Sequence, residues 1–274
     1  MKGEPWLRGV GFAAVLLLGA ASGPARAADP LVVYGAGSLR SVFDELLTAF
    51  GAPPGGASRP TYAPAGLLRA RLEGGETADL FASADLAQPE RLAAAGRGSP
   101  VVMFARNRMC ALARRGVGLN PANLVDRLLD PAVKVATSTP GADPGGDYAW
   151  MIFDRIDRLR PGAGNALRGK AKQLVGGPSM GPPVATESVF LSNRADVMLG
   201  YCSGAPSLKR LVPDIQAVPM PPGLDPEPAF GLTVLSGNPL AFRFALFVMS
   251  QPGQTILEEY GFIPVALPDA TRSP

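Results

Sequence analysis

Short apolar runs alternate along this chain with stretches in which apolar residues recur every three or four positions, the pattern of strands followed by amphipathic helices. The segment VVYGAGSLRSVFDELL, residues 32–47, shows it first. Val32, Val33 and Tyr34 form a β-branched and aromatic run, and Gly35, Ala36 and Gly37 permit a tight turn. Leu39, Val42, Phe43, Leu46, Leu47 and Phe50 then share one helix face, with Ser38 placed as the N-cap. The same reading predicts strands at 31–34, 61–63, 80–82, 101–105, 109–113, 134–137, 196–201, 215–219 and 230–235. Helices are predicted at 39–50, 66–73, 89–95, 124–129, 147–159, 165–174, 185–193, 240–249 and 254–260. Such alternation implies an α/β fold built on mostly parallel sheet.

The first 27 residues stand apart from this pattern. Lys2 and Arg8 precede the apolar run Val10 to Leu18, and Ala25-Arg26-Ala27 offers a small-x-small cleavage site, so a signal peptide for secretion is expected at 1–27. The run is too short for a membrane span, which needs about 20 apolar residues. Three of the 26 basic and one of the 23 acidic residues fall in this leader, which leaves a net charge of +1. No basic run interleaved with aromatics exists, so no nucleic-acid partner is expected. The chain has no histidine, which removes histidine bases and histidine metal sites, and two cysteines cannot build a thiolate zinc site. Cys110 and Cys202 can pair in an oxidising compartment, but two buried free thiols fit the sequence as well, because spacing alone does not establish proximity.

Two places read as connectors between domains. Arg106, Asn107 and Arg108 interrupt an extended apolar stretch, and MPPGLDPEPAF (Met220 to Phe230) holds four prolines that stiffen the backbone without closing a helix. If the chain crosses at both, residues 28–106 with 230–274 make one lobe, and residues 107–229, hinge segments included, make the other. A cleft between two lobes is the usual home of a small ligand.

In open α/β sheets ligands lie beyond the carboxyl ends of the strands. That rule singles out four strand-to-helix junctions: Ser38; Ala65 with Gly66; Ser83, Ala84 and Asp85; and Thr137 to Thr139, where Gly145 and Gly146 lead into a helix capped by Asp147. Each alone reads as an ordinary N-cap worth about 1 kcal/mol. Together they point to an anion held by helix starts. Tyr201 ends an apolar strand beside a turn, where a half-buried ring with its hydroxyl in solvent is the plain expectation. Asp79 and Asp85 resemble an acid–base pair, yet nothing nearby supplies the complementary base, and capping of local backbone is commoner. GNALRGKA (164–171) imitates a phosphate loop but has Ala171 where the hydroxyl belongs and no strand before it. Ser38 lacks the flanking glycines of a nucleophile elbow and any histidine, which leaves a secreted hydrolase using Ser38 as a weak alternative. Arg114-Arg115 and Lys209-Arg210 read as solvated faces.

The segments GAGSLRSVFDELLTAF, AGLLRARLEGGETADLFASAD, ARNRMCALAR, LLDPAVKVATSTPGADPGGDYAW, VMLGYCSGA and GQTILEEYGF follow the order seen in the periplasmic molybdate-binding proteins of ABC importers. The chain resembles that family over nearly all of its length after the leader. The resemblance implies a two-lobed type II periplasmic binding fold that closes on a tetrahedral oxyanion, molybdate or tungstate, with no cofactor and no catalytic or metal-ligating residues. It also implies a periplasmic monomer that hands its ligand to a membrane permease. Carried over by position, the ligand contacts are Ser38, Ala84 with Ser83, the backbone donor Val184 and Tyr201. At the second junction the family often has serine, whereas this chain has Ala65 and Gly66, so only backbone N–H can donate. Arg40, where a neutral residue is more usual, is expected to point to solvent. Neutral N–H and O–H donors suit an ion with four acceptor oxygens and no donor, and sulfate, thiosulfate or an iron chelate are the alternative ligands.

Overall fold

The computed structural model describes residues 29–51, 57–178 and 184–266. The expected leader, 1–27, lies outside them. The first part of the chain forms β1 (Leu31–Ala36), α1 (Arg40–Phe50), β2 (Ser58–Ala63), α2 (Ala65–Glu73), β3 (Leu80–Ser83), α3 (Ala87–Ala94) and β4 (Val102–Arg106). The middle forms β5 (Met109–Arg114), α4 (Leu124–Leu129), β6 (Val135–Ser138), α5 (Pro144–Leu159), α6 (Ala163–Lys170), β7 (Lys172–Val175), α7 (Thr186–Leu191), β8 (Val197–Tyr201), α8 (Ala205–Leu211) and β9 (Ile215–Pro219). The last part forms β10 (Ala229–Val234), α9 (Pro239–Met249), α10 (Gln251–Glu259) and β11 (Ile263–Pro264).

These strands build two sheets, in the orders β11-β4-β10-β3-β1-β2 and β7-β6-β8-β5-β9. The α/β class is as the alternation implies, but the strand directions are mixed. β1 runs parallel to β2 and β3, and β6 runs parallel to β7 and β8, while β10, β11, β5 and β9 pair antiparallel. Parallel neighbours need a crossover helix, and only the β–α–β stretches supply one. β5 and β10 follow direct passages from one sheet to the other, so nothing obliges them to run parallel.

Those two passages lie side by side. The N–H of Asn107 donates to Pro228 O at 2.8 Å, and its Nδ2 donates to Ser203 Oγ at 2.8 Å. The second passage carries Glu227 at φ +55°, a left-handed conformation uncommon for a residue with a side chain. Next to the first passage, Cys110 on β5 and Cys202 just after β8 form a disulfide with Cα atoms 5.0 Å apart, which settles the open choice between bridge and free thiols.

The first sheet is packed by α1, α9 and α10 around Phe43, Phe104, Phe230 and Phe244, with edge-on ring contacts such as Phe43 to Phe104 at 5.6 Å. The second sheet buries Ile152, Phe153 and Ile156 of α5 on one face, and Val189, Phe190 and Leu208 on the other. Four sequence expectations change. The helix expected at 165–174 ends at Lys170, and Lys172–Val175 is an edge strand with only Val175 buried, which leaves no alternation to read. α8 buries only Ala205 and Leu208, too faint a stripe for periodicity to find. Arg114 is no solvated face: its guanidinium pairs with Asp214 at 2.8 Å and also donates to Phe190 O and Asn193 Oδ1. Finally, α5 begins at Pro144, capped by the Asp143 side chain, not at Asp147.

Candidate functional site

The parallel register lines up the strand ends. Ala36 of β1 pairs with Ala63 of β2, and Gly35 pairs with Ala82 of β3, so Ser38, Ala65–Gly66 and Ser83–Asp85 all leave one edge of the first sheet. In the second sheet Val135 and Ala136 of β6 pair with Val197 and Met198 of β8, which sends Ser138 and Tyr201 out at one edge too. The two edges meet. The N–H of Gly66 donates to Ala142 O at 3.0 Å, and a Cβ on Gly66 would lie 2.6 Å from Gly141 O. Glycine stands at this junction because the opposite loop passes against its backbone, and its N–H is committed to that loop.

The other expected positions differ in what they offer. Ser38 sits in a 3-10 turn, Gly37–Leu39, is exposed, caps nothing with its side chain, and has no side-chain hydrogen bond among the described residues; Leu39, not Ser38, is the N-cap of α1. Ser83 is fully buried, and its hydroxyl donates to Asp85 Oδ1 at 2.7 Å. Asp85 Oδ1 also accepts from the N–H of Gln88 at 3.2 Å, the backbone-capping role expected of it. Ala65 and Ala84 are buried in the first core. Val184 is exposed, just before α7, and no described contact brings it to Tyr201. Asp79 lies elsewhere, accepting from the N–H of Val32, Ser236 Oγ and Asn238 Nδ2 as a tie between β1 and the start of α9. Arg40 lays its guanidinium over the Tyr62 ring, 4.7 Å from the centroid.

Thr137 Oγ1 is buried with no hydrogen-bond partner among the described residues, and Tyr201 shares that feature. Its ring packs edge-on against Phe230 of the first sheet at 5.2 Å and faces Tyr148 of α5 at 6.3 Å. Its hydroxyl oxygen is buried and has no hydrogen-bond partner among the described residues, against the expectation of a hydroxyl in solvent. Desolvation, then the nearby Asp143, pushes its pKa well above the ordinary tyrosine value, so it remains a donor.

Around this hydroxyl the structure gathers residues of the fourth junction together with Asp143, which the sequence reading passed over. A Cβ on Gly145 would lie 3.2 Å from Asp143 Oδ1, 3.4 Å from Ser138 Oγ and 3.6 Å from the Tyr201 ring, so three side chains meet at the start of α5. Asp143 accepts the N–H of Gly145 at 2.8 Å, and Asp147 accepts the N–H of Gly141 at 2.8 Å. Burial pushes the Asp143 carboxyl up to about 6, and burial raises Asp85 and Asp147 as well. The signal for Asp143 is present in DPGGDY, because Asp followed by Pro at the first helical position marks a helix start. Beside this cluster, a cavity of about 510 Å³ opens between the starts of α3 and α5, lined by Asp85, Leu86, Arg91, Asp147, Met151 and Glu227 among others. Strand ends on two sheets thus frame one cleft, a geometry for holding a small solute. Among the described residues no group of acidic, cysteine or histidine side chains is arranged to hold a metal ion.

Two helix-flanked sheets whose strand ends frame a cleft make a two-lobed α/β fold. Residues 31–263 match the model of the bacterial extracellular solute-binding protein family, and the chain belongs to that family. An uncharacterized protein of Pasteurella multocida is 35% identical over 208 residues, 74% of this chain and 86% of that one. The molybdate-binding protein ModA of Mycobacterium bovis is 29% identical over 247 residues, 88% of this chain and 87% of that one. Among solved structures, the sulfate-binding protein SubI of Mycobacterium tuberculosis superposes with a TM-score of 0.70 at 18% identity, covering 86% of this chain and 87% of that one.

Proposed function

We propose that the chain is the solute-capturing component of an ABC importer, working in the periplasm after loss of its leader, and that its solute is a tetrahedral oxyanion of the molybdate or tungstate kind. The observation that carries this reading is the Tyr201 hydroxyl: a buried donor with no acceptor among the described residues, set where strand ends of both sheets converge. A buried polar group without a partner calls for an explanation, and an incoming acceptor oxygen supplies one. Ser38, at the strand-end edge of the first sheet, adds an exposed hydroxyl that caps nothing among the described residues, and the likeness to ModA of Mycobacterium bovis supports the choice of ion. The lobes we propose are 28–106 with 230–274, and 107–229, turning about the paired passages at Asn107 and Pro228; closure brings Ser83, Ala84 and Val184 toward the ion, which is then passed to a permease.

The size of the cavity favours a second reading. About 510 Å³ is within the range of sites for metabolite-sized ligands and lies beside the Tyr201 hydroxyl, which leaves room for an organic group on an oxyanion held there. Titration calorimetry with molybdate, tungstate, sulfate, thiosulfate, phosphate and a phosphate monoester separates the two. Tightest binding of molybdate or tungstate, weakened about tenfold to a hundredfold by Ser38→Ala, is the expected result for loss of one donor to a charged acceptor. Preference for the monoester moves the assignment to the second reading, and no binding by any member refutes both.

A further inference from the structure

The start of α5 already holds a negative charge of the protein's own. Asp143 accepts the N–H of Gly145 at 2.8 Å, at the helix end where the backbone dipole favours an anion. Its other face is closed by the turn after β7, where Gly176 at φ +74° leaves no room: a Cβ there would lie within 2.6 Å of Asp143 Cβ. The Tyr201 ring and Ser138 Oγ complete the enclosure, and the Tyr201 hydroxyl beside them lacks an acceptor among the described residues.

Among the described residues the titratable groups around this point are mostly acids. Asp147 and Tyr148 come from α5, Asp85 from the β3–α3 junction and Tyr201 from β8, while the neighbouring cavity adds Glu227 of the second passage and one cation, the exposed Arg91 of α3. β6 contributes the neutral Ser138, and the turn after β7 contributes Gly176. A doubly negative solute placed here meets carboxylates at close range, and like charges in an enclosed site drive one of them to take a proton.

We propose that Asp143 is an internal anion that keeps the ligand's place at the start of α5, so that capture of an oxyanion is coupled to uptake of one proton from solvent onto the Asp143 carboxyl. The inference rests on the oxyanion reading above and adds the residue that gates it. Burial, which holds that carboxyl near 6, sets the window: ionised at neutral pH when the cleft is empty, within reach of protonation when an anion arrives. If only the protonated form is competent, apparent affinity weakens about tenfold per pH unit above about 6.

The test is calorimetry of the full chain with molybdate and with sulfate at pH 6, 7 and 8, in two buffers of different ionisation enthalpy, which counts protons directly. The expected result is close to one proton taken up per anion at pH 7 and 8. Asp143→Asn keeps the capping acceptor, so α5 is retained, and it is expected to remove the uptake, flatten the pH profile and bind about tenfold more tightly than wild type at pH 7. Binding without proton uptake in the wild-type chain overturns the proposal and leaves the oxyanion reading intact, whatever the variant does. Loss of the pH slope in Asp85→Asn or Asp147→Asn but not in Asp143→Asn overturns the assignment to Asp143. Absence of binding by either anion at every pH removes both readings together.

Discussion

Replacing Tyr201 by phenylalanine is expected to move two properties in opposite directions. The ring contacts to Phe230 and Tyr148 survive, and only the hydroxyl goes. That hydroxyl is buried without a partner among the described residues, and such a group costs about 1–3 kcal/mol against a paired or apolar equivalent. The ligand-free variant is therefore expected to be more stable than wild type by roughly that amount, a rise in Tm of about 2 to 10 °C for a chain of this size. In the liganded state the same hydroxyl donates to a charged oxygen, and its loss is expected to weaken binding by about tenfold to a hundredfold. Scanning calorimetry of both proteins, empty and with saturating molybdate, reads both effects: the variant melts higher when empty and gains less from ligand. A lower melting temperature for the empty variant means that the hydroxyl has a partner in the free protein. Equal affinity means that it does not touch the solute. Either outcome refutes the reasoning.

Three further outcomes are expected. Reduction of the Cys110–Cys202 bridge, or Cys110→Ala with Cys202→Ala, lowers stability by about 2–5 kcal/mol in denaturant titration, because the bridge closes a loop with a sequence separation of 92. Gly66→Ala drives a methyl to 2.6 Å from Gly141 O and breaks the bond to Ala142, so the variant loses about 1–3 kcal/mol and shows a larger radius of gyration by X-ray scattering. Since Asp143 titrates near 6 when folded against an ordinary 3.8, the folded chain holds a proton between these values that the unfolded chain has released. Stability contributed by this group is then greatest below about pH 4, falls as pH rises to about 6 and is level above it; melting curves of Asp143→Asn across that window lack the fall.

Most elements announce themselves in the sequence because they bury a stripe. α1 hides Val42, Phe43, Leu46 and Leu47 on one side, and β5 is buried along nearly its whole length, so periodicity and apolar runs find both. β7 and α8 escape because each buries one or two side chains at the rim of a sheet. Strand direction escapes for a different reason: it depends on where the chain passes between sheets, and the proline-rich stretch before β10 marks a connector without stating which neighbour β10 will join. At the cleft, the positions of Ser38, Ser83 and Tyr201 follow from strand ends, but their hydrogen bonds do not. Whether Ser83 faces a solute or Asp85, and whether Gly66 donates to an anion or to Ala142, is decided by contacts between segments far apart in the chain. The carboxylates are hidden by their local motif: Asp147 reads as the helix cap, Asp143 four residues earlier is not singled out, and only the approach of α3 and β8 turns them into the wall of a site.

The position of β10 bears on how this polypeptide can assemble. It lies between β3 and β4 in the first sheet, although more than 120 residues separate it from either in order of synthesis. A chain emerging from its amino end therefore presents β1 to β4 with a missing central member, while every strand of the second sheet, from Met109 to Pro219, arrives as one uninterrupted block. Until Val234 is delivered, β3 and β4 each expose an unpaired backbone edge, an invitation to a strand from another copy. Products truncated before Ala229 are accordingly expected to aggregate through the incomplete sheet.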